Sequence, residues 1–117
     1  MKNTSYVQNY TAFMDSYNES TSAVGVGLLI TKLAGEFVLL NLELVSAERA
    51  LAFVAKENEL LTDENGKPIS SAKAKVMTEG SEEALTVMEF KAHKENLRVL
   101  IASLDSLLKG MIDGRTV

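Results

Sequence analysis

A long heptad pattern dominates the chain between Val26 and Leu61. Apolar residues recur there at alternating steps of four and three residues, which is the spacing of one continuous seam along a helix. The seam residues are Val26, Ile30, Leu33, Phe37, Leu40, Leu44, Ala47, Leu51, Val54 and Leu61, with Asn58 as the polar exception. A helix of this length runs roughly 50 Å and must lie against other helices for most of that distance.

A second heptad helix is predicted near the carboxyl end. Ser81 favours its start, because the hydroxyl caps the first turn. Its seam residues are Val87, Phe90, Lys94, Leu97, Ile101, Leu104, Leu108 and Met111. An antiparallel pairing of the two long helices places Phe37 against Leu104 and Lys94 against Ala47, and a shift of one heptad also aligns the two seams.

Two short helices complete the predicted fold. Ser5 and Gln8 form a capping-box pattern at the start of the first, and Thr21 or Ser22 caps the long helix that follows it. Asn65 and Gly66 predict a left-handed turn before a short connecting helix, with Ile69, Ala72 and Val76 expected to face inward. We therefore predict an all-α helical bundle built on a long antiparallel helix pair, as a single domain over residues 1–117 with helices at about 5–18, 22–61, 69–78 and 81–112.

Surplus apolar surface on the long helix indicates further contacts. A second stripe runs beside the main seam and contains Val38, Leu42, Val45 and Ala52. Together the two stripes are too wide for one partner helix. This width predicts a bundle of at least three helices, a homo-oligomer, or both.

Composition narrows the classes of function. The chain of 117 residues is 46% hydrophobic and has no Cys, which excludes disulfide scaffolds and thiolate metal sites. A net charge of -4 disfavours generic binding to a nucleic-acid backbone. We expect no membrane span, because charged residues interrupt the richest apolar region, and we see no signal peptide, so the expected location is the cytoplasm.

The candidate chemistry is sparse. His93 is the single histidine, no metal-ligand spacing occurs, and no nucleophile motif is present, so we expect no enzyme, metal or cofactor. Lys91, Lys94 and Arg98 form a basic ridge on the last helix, and Lys73 and Lys75 lie in the connection. These residues are candidates for an anion or nucleotide site, and ordinary solvated positions are the alternative interpretation.

An aromatic stripe marks the first helix. Four of the seven aromatic residues fall on one face of it, and they are Tyr6, Tyr10, Phe13 and Tyr17. Such a stripe is typical of packing on the bundle or on a neighbouring subunit. The alternative interpretation is a surface that binds a protein partner.

The connection and last helix resemble a known group of proteins. The run from Gly66 to Ala74, followed by a charged helix ending at Leu97 to Lys109, is similar to small all-helical proteins from the early regions of bacteriophages and prophages. The resemblance covers residues 60–110 and transfers no site residues. It implies a phage accessory protein in the host cytoplasm that binds a host or phage protein, assists DNA recombination or blocks a defence component. A second hypothesis is an oligomeric sponge that holds an anionic nucleotide signal at its subunit boundaries.

Overall fold

The fold is all-α, as predicted. The computed structural model describes residues 5–18 and 21–115, and this part of the chain contains four α-helices and no strand beyond one isolated bridge. The helices are α1 (Ser5–Ser16), α2 (Ala23–Glu59), α3 (Ser71–Glu79) and α4 (Glu82–Arg115). The long helices α2 and α4 pack against one another as a helical hairpin. The ends of the predicted domain, residues 1–4 and 116–117, lie outside the described residues.

Serine side chains cap three of these helices. The hydroxyl of Ser22 accepts from the backbone N–H of Gly25 at 3.1 Å, and the hydroxyl of Ser81 accepts from Ala84 at 3.2 Å. Ser70 caps α3 in the same way. Each serine satisfies a backbone donor that the first helical turn leaves free, which is why the helices begin where they do.

A tight turn joins α2 to α3. The carboxylate of Asp63 accepts from the backbone N–H groups of Asn65 and Lys67, at 2.8 Å and 3.0 Å. Gly66 has a φ of 76°, the left-handed conformation predicted for this turn. An antiparallel bridge between Thr62 and Pro68 closes the turn.

The chain divides into two compact units. The first contains Met1–Asn41 and His93–Val117, and its buried apolar residues are Tyr6, Val26, Leu29, Leu33, Leu40, Leu97 and Leu104. The second contains Leu42–Ala92, and its buried apolar residues are Leu44, Ala74 and Val87. The second unit therefore has a small core for its length.

The expected register of the long helices is wrong by one heptad. In the first unit the Nζ of Lys94 lies 5.8 Å from the centroid of the Phe37 ring, which was expected to face Leu104. In the second unit Ala47 lines a cavity with Thr86. Both positions agree with the alternative register shifted by one heptad. Because the apolar pattern repeats every seven residues, both registers align the two seams and the pattern does not distinguish them. In the observed register, the Lys94 ammonium has a cation–π contact with the Phe37 ring.

The inward face of α3 also differs from the prediction. Ala74 is buried, whereas Val76 is 68% exposed and Ala72 is exposed. The hydroxyl of Thr78 accepts from the side-chain amide of Asn58 at 3.0 Å, so the face with Ala74 and Thr78 lies against α2. The polar residue that interrupts the α2 seam thus has a hydrogen-bonding partner on α3.

Candidate functional site

A row of exposed apolar side chains lies on α2. In the first unit this feature, here called the outer stripe, consists of Val24, Leu28, Val38 and Leu39. These side chains are 57% to 71% exposed. They lie on the side of α2 opposite the buried Val26, Leu33 and Leu40, because a helix turns by about 100° per residue.

The segment of α2 in the second unit is similar. Leu42, Val45 and Phe53 are exposed large hydrophobic side chains of this segment. Scattered exposed hydrophobic residues are normal in proteins, but a contiguous apolar row marks an interaction surface. Both segments of α2 therefore carry candidate docking residues.

The length and composition of α2 also meet the criteria for a membrane span. An 18-residue stretch of Ala23–Glu59 has a mean hydropathy of 1.8 and at most two charged residues, and 17% of it is buried. The mostly buried core helix of a soluble protein meets the same criteria of length and composition, and so does a signal sequence. The expected absence of a membrane span stays a prediction.

The aromatic stripe of α1 is divided by burial. Tyr6 is 2% exposed and belongs to the core of the first unit. Tyr10 and Phe13 are half-buried, and Tyr17 is exposed, with its ring 6.0 Å from that of Phe13. Packing on the bundle accounts for Tyr6, while the other three remain candidates for contact with a partner.

Tyr6 is joined to the single histidine. Its hydroxyl lies 2.6 Å from Nδ1 of His93, and the two rings meet edge to face with centroids 5.7 Å apart. The amide of Asn96 donates to the same hydroxyl at 3.5 Å. His93 therefore has a structural role in the first unit, and the spacing of residues in the sequence gave no signal that pairs it with Tyr6.

Polar contacts also attach α1 to α2. The carboxylate of Glu36 accepts from the hydroxyl of Ser5 and, at 3.4 Å, from the amide of Asn9. The Nζ of Lys32 donates to the side-chain oxygen of Asn9 at 3.2 Å. Ser5 is the first described residue of α1, and its hydroxyl donates to Glu36 on α2. These contacts occupy both charged groups that flank the outer stripe.

The basic ridge is partly engaged by neighbouring side chains. Arg98 donates from Nε to Glu95 at 3.0 Å, and this hydrogen bond lowers the pKa of the Glu95 carboxyl and raises the pKa of the Arg98 guanidinium. Lys94 lies over the ring of Phe37. Lys94 and Arg98 are thus brought together on α4 in the first unit, but each already has a partner.

The remaining basic candidates belong to the second unit. Lys73 and Lys75 lie on α3, and Lys75 is 4.0 Å from Glu79 in an exposed ion pair. Lys91 is exposed on α4. An exposed ion pair of this kind is weak, so the Lys75 ammonium remains available to an anion. The anion site stays a prediction.

The described residues contain no cluster of metal-ligating side chains. Within residues 5–18 and 21–115, no group of three or more His, Asp or Glu side chains is placed to hold a metal ion. The fold and its surfaces define the chain as an all-α helical hairpin with an uncovered apolar helix face. No protein-family model, curated protein or solved structure matches it.

Proposed function

We propose that this chain is a non-catalytic interaction protein, which acts by binding another protein through its exposed apolar side chains. One observation carries the proposal. In the described part of the chain, eighteen large hydrophobic side chains are exposed, whereas ten hydrophobic residues are buried. Water disfavours such surface, and covering it with a partner removes roughly 25 cal/mol per Å² of unfavourable exposure.

The aromatic residues of α1 supply a second, smaller docking area. Tyr10 and Tyr17 combine apolar rings with hydroxyl groups, and Phe13 adds a third aromatic ring, a chemistry that protein interfaces favour. The resemblance to phage early-region proteins makes a host or phage protein the proposed partner, in the host cytoplasm. Assistance to recombination or inhibition of a defence component is the proposed effect.

Quantitative affinity capture tests the proposal. The tagged full chain is compared with a Tyr10→Ala, Phe13→Ala double variant and with a Leu39→Glu variant, each expressed in the cells that encode the protein. We expect one protein to co-purify in stoichiometric amount with the wild type and to be depleted at least about tenfold with one variant. A Lys109→Ala variant, which changes an exposed residue outside both surfaces, is the matched control.

Two outcomes contradict the proposal. The first is that no protein is retained above the level of the variants. The second is that a nucleotide panel in a thermal-shift assay reveals one strongly stabilising compound, with the response lost in Arg98→Ala. That second result favours the nucleotide-sponge hypothesis instead.

A further inference from the structure

Two glycines in the interior of α2 have open space beside them. A Cβ atom added at Gly27 or Gly35 meets no atom of the described residues within 4 Å. Neither needs a left-handed backbone, since Gly66 is the glycine with positive φ in the described residues. Glycine in a helix interior lowers the stability of the helix relative to alanine. The space around Gly27 and Gly35 within one copy of the chain does not explain why glycine is present there.

Gly35 lies within the outer stripe. It follows Leu28 by one heptad and precedes Val38 by three residues, and it is exposed. At this point the stripe has no side chain, and the backbone of α2 is open to a close neighbour. A second helix crossing here can approach α2 closely while its side chains contact Leu28 and Val38.

The charges of α2 leave the outer stripe neutral. Between Ala23 and Asn41 the charged residues are Lys32 and Glu36, and both bond to α1. Two copies of this face therefore meet without repulsion between like charges. A lipid surface is a poorer fit, because the face has no basic rim for headgroups and a spanning helix would place Lys32 and Glu36 near the bilayer centre.

The exposed area of the outer stripe fits a small, reversible interface. Its four side chains provide on the order of 450 Å² per copy, which is the size that one partner contributes to a transient complex.

We infer that α2 pairs with α2 of a second copy of this chain, around a two-fold axis close to Gly35, so that the outer stripe is buried in a homodimer. The inference rests on the proposed function in one respect, namely that the exposed apolar surface is a binding surface. In a two-fold symmetric dimer, each copy covers the same surface patch of the other copy.

Sedimentation equilibrium of the purified full chain tests the dimer. From low micromolar to several hundred micromolar protein, we expect a reversible monomer–dimer equilibrium for the wild type. Gly35→Leu fills the crossing point and should raise the dimer dissociation constant at least about tenfold. Leu28→Glu, which places a charge on an exposed position of the stripe, should do the same.

Gly110→Leu is the matched control. Gly110 also lies inside a helix, is exposed, and has open space around an added Cβ. Its substitution should leave the dissociation constant within about twofold. All variants should keep the helical circular dichroism of the wild type, because none of them enters the buried core.

Three results overturn the inference. In the first, the wild type is monomeric throughout, which leaves the proposed function intact with the stripe available to a different protein. In the second, the dimer is insensitive to both Gly35→Leu and Leu28→Glu, which places the interface elsewhere. In the third, the chain is a monomer that floats with phosphatidylcholine and phosphatidylglycerol vesicles, and this makes the stripe a lipid-binding face.

Discussion

Removing one oxygen atom from Tyr6 tests the link between α1 and α4. Tyr6→Phe keeps the buried ring and its edge-to-face contact with His93, but it deletes the hydroxyl that lies 2.6 Å from Nδ1. The side chain is 2% exposed, so the half-buried imidazole nitrogen loses its partner where water has little access. A polar group stranded in this way costs about 1–3 kcal/mol, and loss of the contact from Asn96 adds little at 3.5 Å.

Urea unfolding followed by circular dichroism measures this change. We expect the midpoint to fall by an amount equivalent to about 1–2 kcal/mol at an unchanged slope, and Tm to fall by roughly 4 °C for each kcal/mol. Tyr10→Phe is the control, since it removes the same atom from a half-buried tyrosine of the same helix. The reasoning is refuted if the two variants unfold at the same urea concentration.

Three further predictions concern the core, the glycines and the exposed ion pair. Leu33→Ala, at a fully buried position, should lower the free energy of unfolding by about 2–5 kcal/mol in urea titrations. Gly66→Ala should destabilise by about 1 kcal/mol because its φ is 76°, whereas Gly110→Ala should stabilise by about 1 kcal/mol, and thermal melts should move in opposite directions. Arg98→Ala should raise the pKa of Glu95 toward its ordinary value in an NMR pH titration.

The ion pair between Glu95 and Arg98 makes the stability of the fold depend on pH, in a direction that the lowered pKa of Glu95 determines. The folded-state pKa of Glu95 lies below its unfolded value, so the pair stabilises the fold above the ordinary pKa of glutamate. That stabilisation is lost as the pH falls through the lowered pKa. Because both side chains are exposed, we expect Arg98→Ala to leave Tm at pH 7 unchanged, and a clear drop there would contradict this account.

Local sequence signals located most helices within a few residues. Ser22 and Ser81 each bond to a backbone N–H three residues ahead, and Gly66 supplies the left-handed turn, because these preferences depend on neighbouring residues alone. The heptads identified α2 and α4 as partners in the same way. The hydrogen bond from Ser5 to Glu36 joins two helices that are distant in sequence, so local signals did not indicate it.

Contacts between distant residues were the part that the sequence could not supply. The heptad repeat allowed two registers, and the position of Lys94 over the ring of Phe37 shows which of them is present. The hydrogen bond between Tyr6 and His93 also joins residues that are distant in sequence, and no spacing rule detects it. Among the candidate site residues, the structure explains Tyr6 as core and gives partners to Lys94 and Arg98, which a charge pattern alone does not reveal.

The attachment of α1 determines how the first unit opens. A single side chain of α1, that of Tyr6, is buried, and the hydrogen bonds between α1 and α2 are partly exposed. Releasing this helix therefore exposes far less apolar area than unfolding the α2–α4 pair, and we expect it to occur as a separate, lower-energy fluctuation. Amide hydrogens of residues 9–16 should exchange with deuterated solvent well before those in the middle of α2, at a rate set by detachment of a whole helix.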